Sequence, residues 1–323
     1  MGCHNGKVNI DCGDWNRLKH FVSIVIPTTA TARRAPLLSR ALSSILKNQD
    51  EKAIPIIVVN GSKYVPEVLE SLKRRRDVRF LYLEEGSATR ARLAGREIVD
   101  TEFFGILDDD DEYLPGALRT RLNPLIEDGS VEVVVTNGYY HKNNNDAILF
   151  PTFSTFGEDP LESLMDYPWL KSGGVLFRTT SVPIGYFEVP PYFEMTYMAM
   201  KLALSRKLAF VDIPTYRLYF DSPESLSATD DYLRSEPEAL RQCLALNPPT
   251  RIKRRLAQKY TSSLHHMSDL QRENGNYAAA WRYHVTSLLS PYGLRHLFYT
   301  RRLFPFWRRS DKSKLGSTFN TSA

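Results

Sequence analysis

The sequence predicts an α/β fold, an open and mostly parallel sheet covered by helices on both faces, with an all-helical C-terminal extension. Three observations predict it. Short β-branched apolar runs alternate with segments of about 10 to 15 residues whose apolar side chains recur at helical spacing. The runs are apolar throughout rather than alternating, as strands buried on both faces are. From about Tyr232 onward the helical period continues without another strand-like run.

FVSIVIPT, residues 21–28, is the first buried strand, ended by Pro27 and Thr28. Pro36 then opens a helix that puts Leu37, Leu38, Ala41, Leu42, Ile45 and Leu46 on one face. IPIIVVNGS, residues 54–62, is a second strand stopped by an Asn-Gly-Ser turn, and VPEVLESLKRRR a second helix. VRFLYLEE (78–85), helical ATRARLAGREIV (88–99) and EFFGIL (102–107) extend the alternation into Asp108, Asp109, Asp110 and Asp111. VEVVVTNGYY (131–140) is a further strand, and residues 150–193, rich in Gly, Pro and aromatics, read as loops and short strands. A helix is expected over 195–207 and one or two strands over 208–220. YTSSLHHMSDLQRENGNYAAAWRYHVTSLLSP reads as an antiparallel helical hairpin around an Asn-Gly turn.

The chain has 323 residues, 42% hydrophobic and 24% charged, which excludes disorder, collagen and disulfide scaffolds as whole-chain descriptions. No apolar run reaches the ~18 residues needed to span a bilayer, and the first twenty residues contain no apolar signal core. Cytoplasmic residence is the expectation. Cys3, Cys12 and Cys243 are read as reduced thiols. The net charge of +5 is uneven: from Arg251 to the end stand 14 Lys and Arg against 3 acidic residues, a net +11 that leaves the first 250 residues at −6.

Ligands of open α/β sheets bind beyond the carboxyl ends of the strands, where Asn60 and the four aspartates both fall. Four adjacent carboxylates repel one another, and a divalent cation relieves that cost. Oxygen ligands select Mg²⁺ or Mn²⁺, which takes one or two carboxylates and completes its shell from water and phosphate. On an extended strand end, Asp108 and Asp110 would share one side and Asp109 and Asp111 the other. The other reading of the cluster is a solvated acidic loop ahead of a helix.

VSIVIPT, SSIL, IIVVNGS, ARLAG and FGILDDDDEYLPGAL, in this order and spacing, resemble the family-2 glycosyltransferases of GT-A fold across roughly residues 21–227. The resemblance implies a GT-A domain over 21–230, after an N-terminal segment (1–20) and before a helical extension (231–310) and a disordered tail (311–323). It implies transfer of a sugar from a nucleoside-diphosphate sugar, a UDP-sugar above all, to an acceptor hydroxyl, with inversion and a bound Mn²⁺ or Mg²⁺, in polysaccharide or glycolipid assembly. The acceptor would be a saccharide or lipid-linked saccharide. Carried onto this chain, Asp108 and Asp109 face the nucleotide and metal, with Asp110 the leading metal ligand and Asp108 the second. Pro27 and Thr28 shape the base pocket, Asn60 stands where many members carry an Asp, and Arg92 lies near the diphosphate. Leu93 replaces the Asn that usually follows that Arg.

The family's catalytic Asp belongs to an Glu-Asp pair at a helix start, yet this chain reads Glu194-Met195, with Lys201 at the later Arg position. Glu194 is the candidate base. Two readings stay beside it: a loop shifted by one residue, or a catalytically weak relative that binds nucleotide sugar or scaffolds an assembly. KSGGVLFR (171–178) resembles the acceptor side, where Gly173 and Gly174 would let backbone approach a sugar or form a plain tight turn, and Trp169, Tyr186, Tyr192 and Phe193 offer stacking faces or, as aromatics more often do, simply pack. YRLYFDSPESLS (216–227) resembles the closing loop, with Arg217 and Tyr219 where an Arg-x-His pattern is frequent.

HLFYTRRLFPFWRR (296–309) interleaves aromatics with Arg, a composition for peripheral contact with the inner face of a membrane or for a helix packed on its neighbours. An oxidoreductase is excluded because PTTATARRAP, not a G-x-G-x-x-G, follows the first strand. A terpene-cyclase reading of the aspartates is excluded by the strand before them. No nucleic acid is expected as a partner, since no helix-turn-helix, zinc-finger or RNP pattern accompanies the basic tail.

Overall fold

The computed structural model describes residues 22–47, 49–190, 192–219 and 230–304. The expected N-terminal segment, the tail, residues 220–227 of the closing loop and 305–309 of the basic stretch lie outside the described residues. The chain divides into two units, Met1–Ala228 and Thr229–Ala323.

In the first unit β1 (Val22–Thr28), α1 (Ala35–Leu46), β2 (Ala53–Asn60), α2 (Pro66–Arg74), β3 (Arg79–Leu83), α3 (Ala88–Glu97) and β4 (Phe103–Ile106) alternate as predicted. β5 (Glu112–Tyr113), α4 (Ala117–Glu127), β6 (Val133–Lys142), β7 (Asn145–Ile148), α5 (Pro160–Asp166), β8 (Val175–Arg178), α6 (Glu194–Ser205) and β9 (Leu208–Tyr219) follow. The sheet order is β3-β2-β1-β4-β8-β6-β9-β5, with β7 on β6. β1 runs parallel to both β2 and β4, so the connections leave β1 in opposite directions, which opens a crevice at the ends of β1 and β4. β8 is antiparallel to β4 and β6.

Every residue of β1 is buried, as an apolar strand covered on both faces requires. α1 puts Leu38, Ala41, Leu42 and Ile45 into the core beneath it. α3 lies so close to the sheet that a Cβ on Gly95 would stand 2.4 Å from Val25 Cγ1, so only glycine fits there. This close approach brings Arg92, one turn earlier on α3, up to the crevice.

The sequence expectations need two corrections here. Residues 150–193 contain a helix, α5, started by Asp159 accepting a hydrogen bond from the Glu162 N–H with Pro160 in the first turn. Seven residues are too few for a helical period to show. The four aspartates do not extend β4; the Asp111 N–H donates to the Asp108 carbonyl at 3.1 Å and closes a turn, so their side chains do not alternate.

The second unit consists of α7 (Asp230–Ala245), α8 (Thr250–Glu273), α9 (Tyr277–Leu289) and a 3-10 stretch (Gly293–Leu303). α8 and α9 form the expected hairpin around Asn274-Gly275-Asn276, with Asn276 accepting from the Ala279 N–H. Ala280, Tyr299 and Leu303 pack with Trp281 inside it. Among the described residues no helix is long and apolar enough to cross a membrane.

Candidate functional site

Three strand ends meet at the crevice. Thr28, last in β1, donates its hydroxyl to Asp109 Oδ2 at 2.5 Å, and Asn60, last in β2, donates its amide to the Thr28 carbonyl at 3.0 Å. Pro27, Thr28 and Asn60 are all buried, so they form the floor of the crevice rather than its rim.

Asp108 lies at the centre. Arg92 donates to Asp108 Oδ1 at 2.7 Å and to Glu194 Oε1 at 2.5 Å, which ties the end of β4 to the first residue of α6, and the Ser172 hydroxyl donates to Asp108 Oδ2 at 2.9 Å. Burial works against ionisation of Asp108, but Arg92 and Ser172 outweigh it and hold its pKa below the ordinary carboxylate range. The same carboxylates raise the pKa of Arg92 against its own burial. Glu194 Oε2 is buried with no hydrogen-bond partner among the described residues. A buried, unpartnered carboxylate oxygen at the head of a helix is where a ligand proton or hydroxyl would be received.

Arg34 bridges the next two aspartates, 2.9 Å from Asp109 Oδ1 and 2.8 Å from Asp110 Oδ2. Arg40 donates to the Asp110 carbonyl, and its guanidinium lies 3.6 Å from the centre of the Tyr219 ring. Asp111 is buried and accepts from the Tyr219 N–H at 3.1 Å. Burial raises the Asp109 pKa to about 7, with Asp110 and Asp108 adding to the rise and Arg34 and Thr28 opposing it. Burial, then Asp110 and Asp108, push Asp111 well above its ordinary value. Arginines therefore supply much of the counter-charge that four clustered carboxylates require.

Among the described residues no group of three or more His, Cys, Asp or Glu converges to hold an ion, so a carboxylate cage is not formed. The donor set suits an ion that needs only one or two carboxylates. Asp108 and Asp110 are hard oxygen donors, but both Asp108 oxygens are engaged by Arg92 and Ser172 and one of Asp110 by Arg34, so an ion there would share or displace these partners.

Several expected acceptor-side residues have other duties. Trp169 is fully buried, its indole N–H donating to the Pro160 carbonyl and its ring edge-on to Phe210, so it offers no face to a sugar. Gly173 and Gly174 are pressed against the ring of Tyr216, where a Cβ would stand 2.9 and 2.5 Å from ring atoms. Their small size serves that packing, not backbone approach by a sugar. Arg217 pairs with Glu112 and with Asp146 at 2.6 Å, which fastens β9 to β5 and β7 instead of reaching the aspartates. Tyr219 faces Arg40 and donates its hydroxyl to Glu112. Tyr186 is buried and hydrogen-bonded to Ser205, whereas Tyr192 holds a φ of +71° two residues before Glu194, a backbone region bulky residues rarely adopt. Lys201 donates to the Gly185 carbonyl at 2.7 Å.

Sequence reasoning missed Arg34, Arg40 and Ser172. Arg34 follows Arg33 in PTTATARRAP with nothing to distinguish them; only the chain's turn into α1 aims one of them at Asp109 and Asp110.

The sequence profile described as Glycosyl transferase family 2 matches residues 23–185, just over half of the chain. The GalNAc(5)-diNAcBac-PP-undecaprenol beta-1,3-glucosyltransferase of Campylobacter jejuni is 33% identical over 111 residues, 33% of this chain and 35% of that enzyme. The chain thus matches about a third of the length of this relative. Among solved structures, TarS 1-349 of S. aureus in complex with UDP-GlcNAc superposes with a TM-score of 0.56 at 18% identity, covering 80% of this chain and 75% of that one. A structure of TarS 1-349 without a named ligand gives 0.52 at 16% identity, covering 80% and 74%.

Proposed function

Since the chain belongs to glycosyl transferase family 2 and has a GT-A type fold, we propose that the crevice moves a sugar from a UDP-sugar to a hydroxyl of a lipid-linked or free saccharide, with inversion, in glycolipid or polysaccharide assembly. One observation carries the reading: Arg92 holds Asp108 and Glu194 together while the second Glu194 oxygen stays buried and unpartnered. Glu194 is the proposed base. Its Oε2 takes the proton of the acceptor hydroxyl as that oxygen bonds to the anomeric carbon and the bond from that carbon to the diphosphate breaks on the opposite side. Arg92 fixes the Glu194 carboxylate so that no reorientation is needed at that moment.

Pro27, Thr28, Asn60, Asp109 and Asp108 are proposed to receive the nucleoside, and Asp110 with Asp108 to hold Mn²⁺ or Mg²⁺. When bound, such an ion supplies counter-charge to the departing diphosphate. Arg34 and Arg40 add fixed positive charge beside it. The UDP-GlcNAc named in the TarS complex supports the donor, and the undecaprenol-linked substrate named for the C. jejuni enzyme supports a lipid-linked acceptor.

The test is incubation with UDP-sugars and saccharide acceptors, following UDP release and the anomeric configuration of the product by NMR. Inverted product that disappears in Glu194→Gln supports the proposal. Retained configuration removes the one-step mechanism. UDP-sugar bound in every trial and never turned over favours the non-catalytic reading that Met195 leaves open.

A further inference from the structure

The second unit carries features that glycosyl transfer does not use. Between Asn274 and Phe304 the chain has Arg282, Arg295, Arg301 and Arg302 and no Asp or Glu. In the same span large apolar side chains are exposed: Leu289 at 84%, Leu294 at 75% and Phe298 at 83%, with Tyr292, Leu297 and Phe304 about half exposed. In the 3-10 stretch residues three apart stack along one edge, since the period is three. Gly293, His296 and Tyr299 lie along the covered edge, Arg295, Phe298, Arg301 and Phe304 along an exposed one, and the third edge starts outward with Leu294 and Leu297 and turns inward through Thr300 to the buried Leu303. Apolar side chains beside arginines, with no acidic neighbour along the segment, do not match an ordinary solvated surface.

Arg295 joins this surface to a second feature. It donates to the Gln258 carbonyl at 3.1 Å and to the Ser262 hydroxyl, and with Arg255, Lys259, His266 and Glu236 it lines an open cleft of about 440 Å³ against α8. The cleft presents three fixed cations and one carboxylate.

We propose that this face of the second unit docks on an anionic lipid bilayer, with Leu294, Leu297 and Phe298 entering the acyl boundary and a headgroup phosphate held in the cleft of Arg255, Lys259 and Arg295. Apolar side chains supply affinity for any bilayer, and the cations select negative headgroups. The inference stands apart from the donor-site reading, because none of these residues belongs to the crevice.

The experiment is flotation of the full chain with vesicles of phosphatidylcholine alone and of phosphatidylcholine mixed equally with phosphatidylglycerol. The protein should float with the mixed vesicles and stay behind with the neutral ones, and salt should weaken the binding. Arg301→Ala should weaken it about fivefold, the worth of one cation near such a surface. Phe298→Glu with Leu294→Glu should abolish it while circular dichroism shows unchanged helix content, as expected for side chains already in solvent. No flotation, equal flotation with both vesicles, or undiminished flotation of the double variant would overturn the proposal. So would a concentration-dependent dimer in sedimentation that the double variant loses, since a second copy would then be the occupant.

Discussion

At the scale of the residue, Glu194 gives one oxygen to Arg92 and keeps the other buried and unpartnered. Glu194→Gln preserves shape and a hydrogen-bond acceptor but removes the basic oxygen; turnover should fall about 10² to 10⁴-fold, with UDP affinity measured by calorimetry nearly unchanged. Near-normal turnover would remove Glu194 from the role. Arg34 makes a different prediction. Its guanidinium and Asp109 are both largely buried, so Arg34→Met should strand the carboxylates and cost up to about 3 kcal/mol of stability, read as a lower urea midpoint. An unchanged midpoint would show that the pair contributes nothing. Thr28, Asn60, Arg92, Asp108 to Asp111 and Glu194 could be picked from the sequence because each ends a recognisable run or stands in a motif. Arg34 and Ser172 could not, because their partners are fixed only when the chain crosses the crevice. Trp169 misled for the converse reason: residue type announces a flat apolar face but not whether protein already covers it.

At the scale of the element, α3 depends on its contact with β1 and β2. Gly95 permits that contact, and Gly95→Val should force the helix outward, costing about 1 to 3 kcal/mol or more and displacing Arg92 from Asp108 and Glu194. Thermal unfolding would show the lowered midpoint; a wild-type midpoint would mean that α3 shifts without penalty. The parallel strands β1, β2 and β4 were legible because burial on both faces leaves uninterrupted apolar runs, and the half-exposed edge strand β3 because its β-forming run RFLYL stands between two helical segments. β5, with two residues, and the exposed β7 carry no such pattern. The antiparallel direction of β8 is not written in VLFR at all; it follows from the path that residues 150–174 take before reaching the sheet.

At the scale of the whole molecule, the second unit has its own pH response. His265 and His296 stack at 4.0 Å, and His284 and His265 both adjoin Tyr299, with Asp269, Arg272, Arg295 and Arg302 around them. Burial lowers the pKa of His265 and His284, and burial followed by His265 and Arg295 lowers that of His296 to about 4. The unfolded chain, with histidine near ~6.5, therefore binds more protons than the folded one below that pH. Stability should be full above it and decline as pH falls toward 4, a trend that His296→Gln should flatten in denaturation followed by circular dichroism. A pH-independent midpoint would contradict it. In the first unit, the connections leave β1 in opposite directions and gather residues as far apart as Thr28 and Asp109 into one crevice, and the central claim is that this crevice binds a nucleoside-diphosphate sugar. The most direct measurement is thermal unfolding of wild type and Asp110→Asn with UDP, GDP, dTDP and CDP, each with and without Mn²⁺. UDP with Mn²⁺ at a hundred times its Kd should add about 2.7 kcal/mol to the folded state, and the Asn variant should lose the gain. A folded wild-type protein that no nucleotide stabilises, with or without Mn²⁺, would contradict the account.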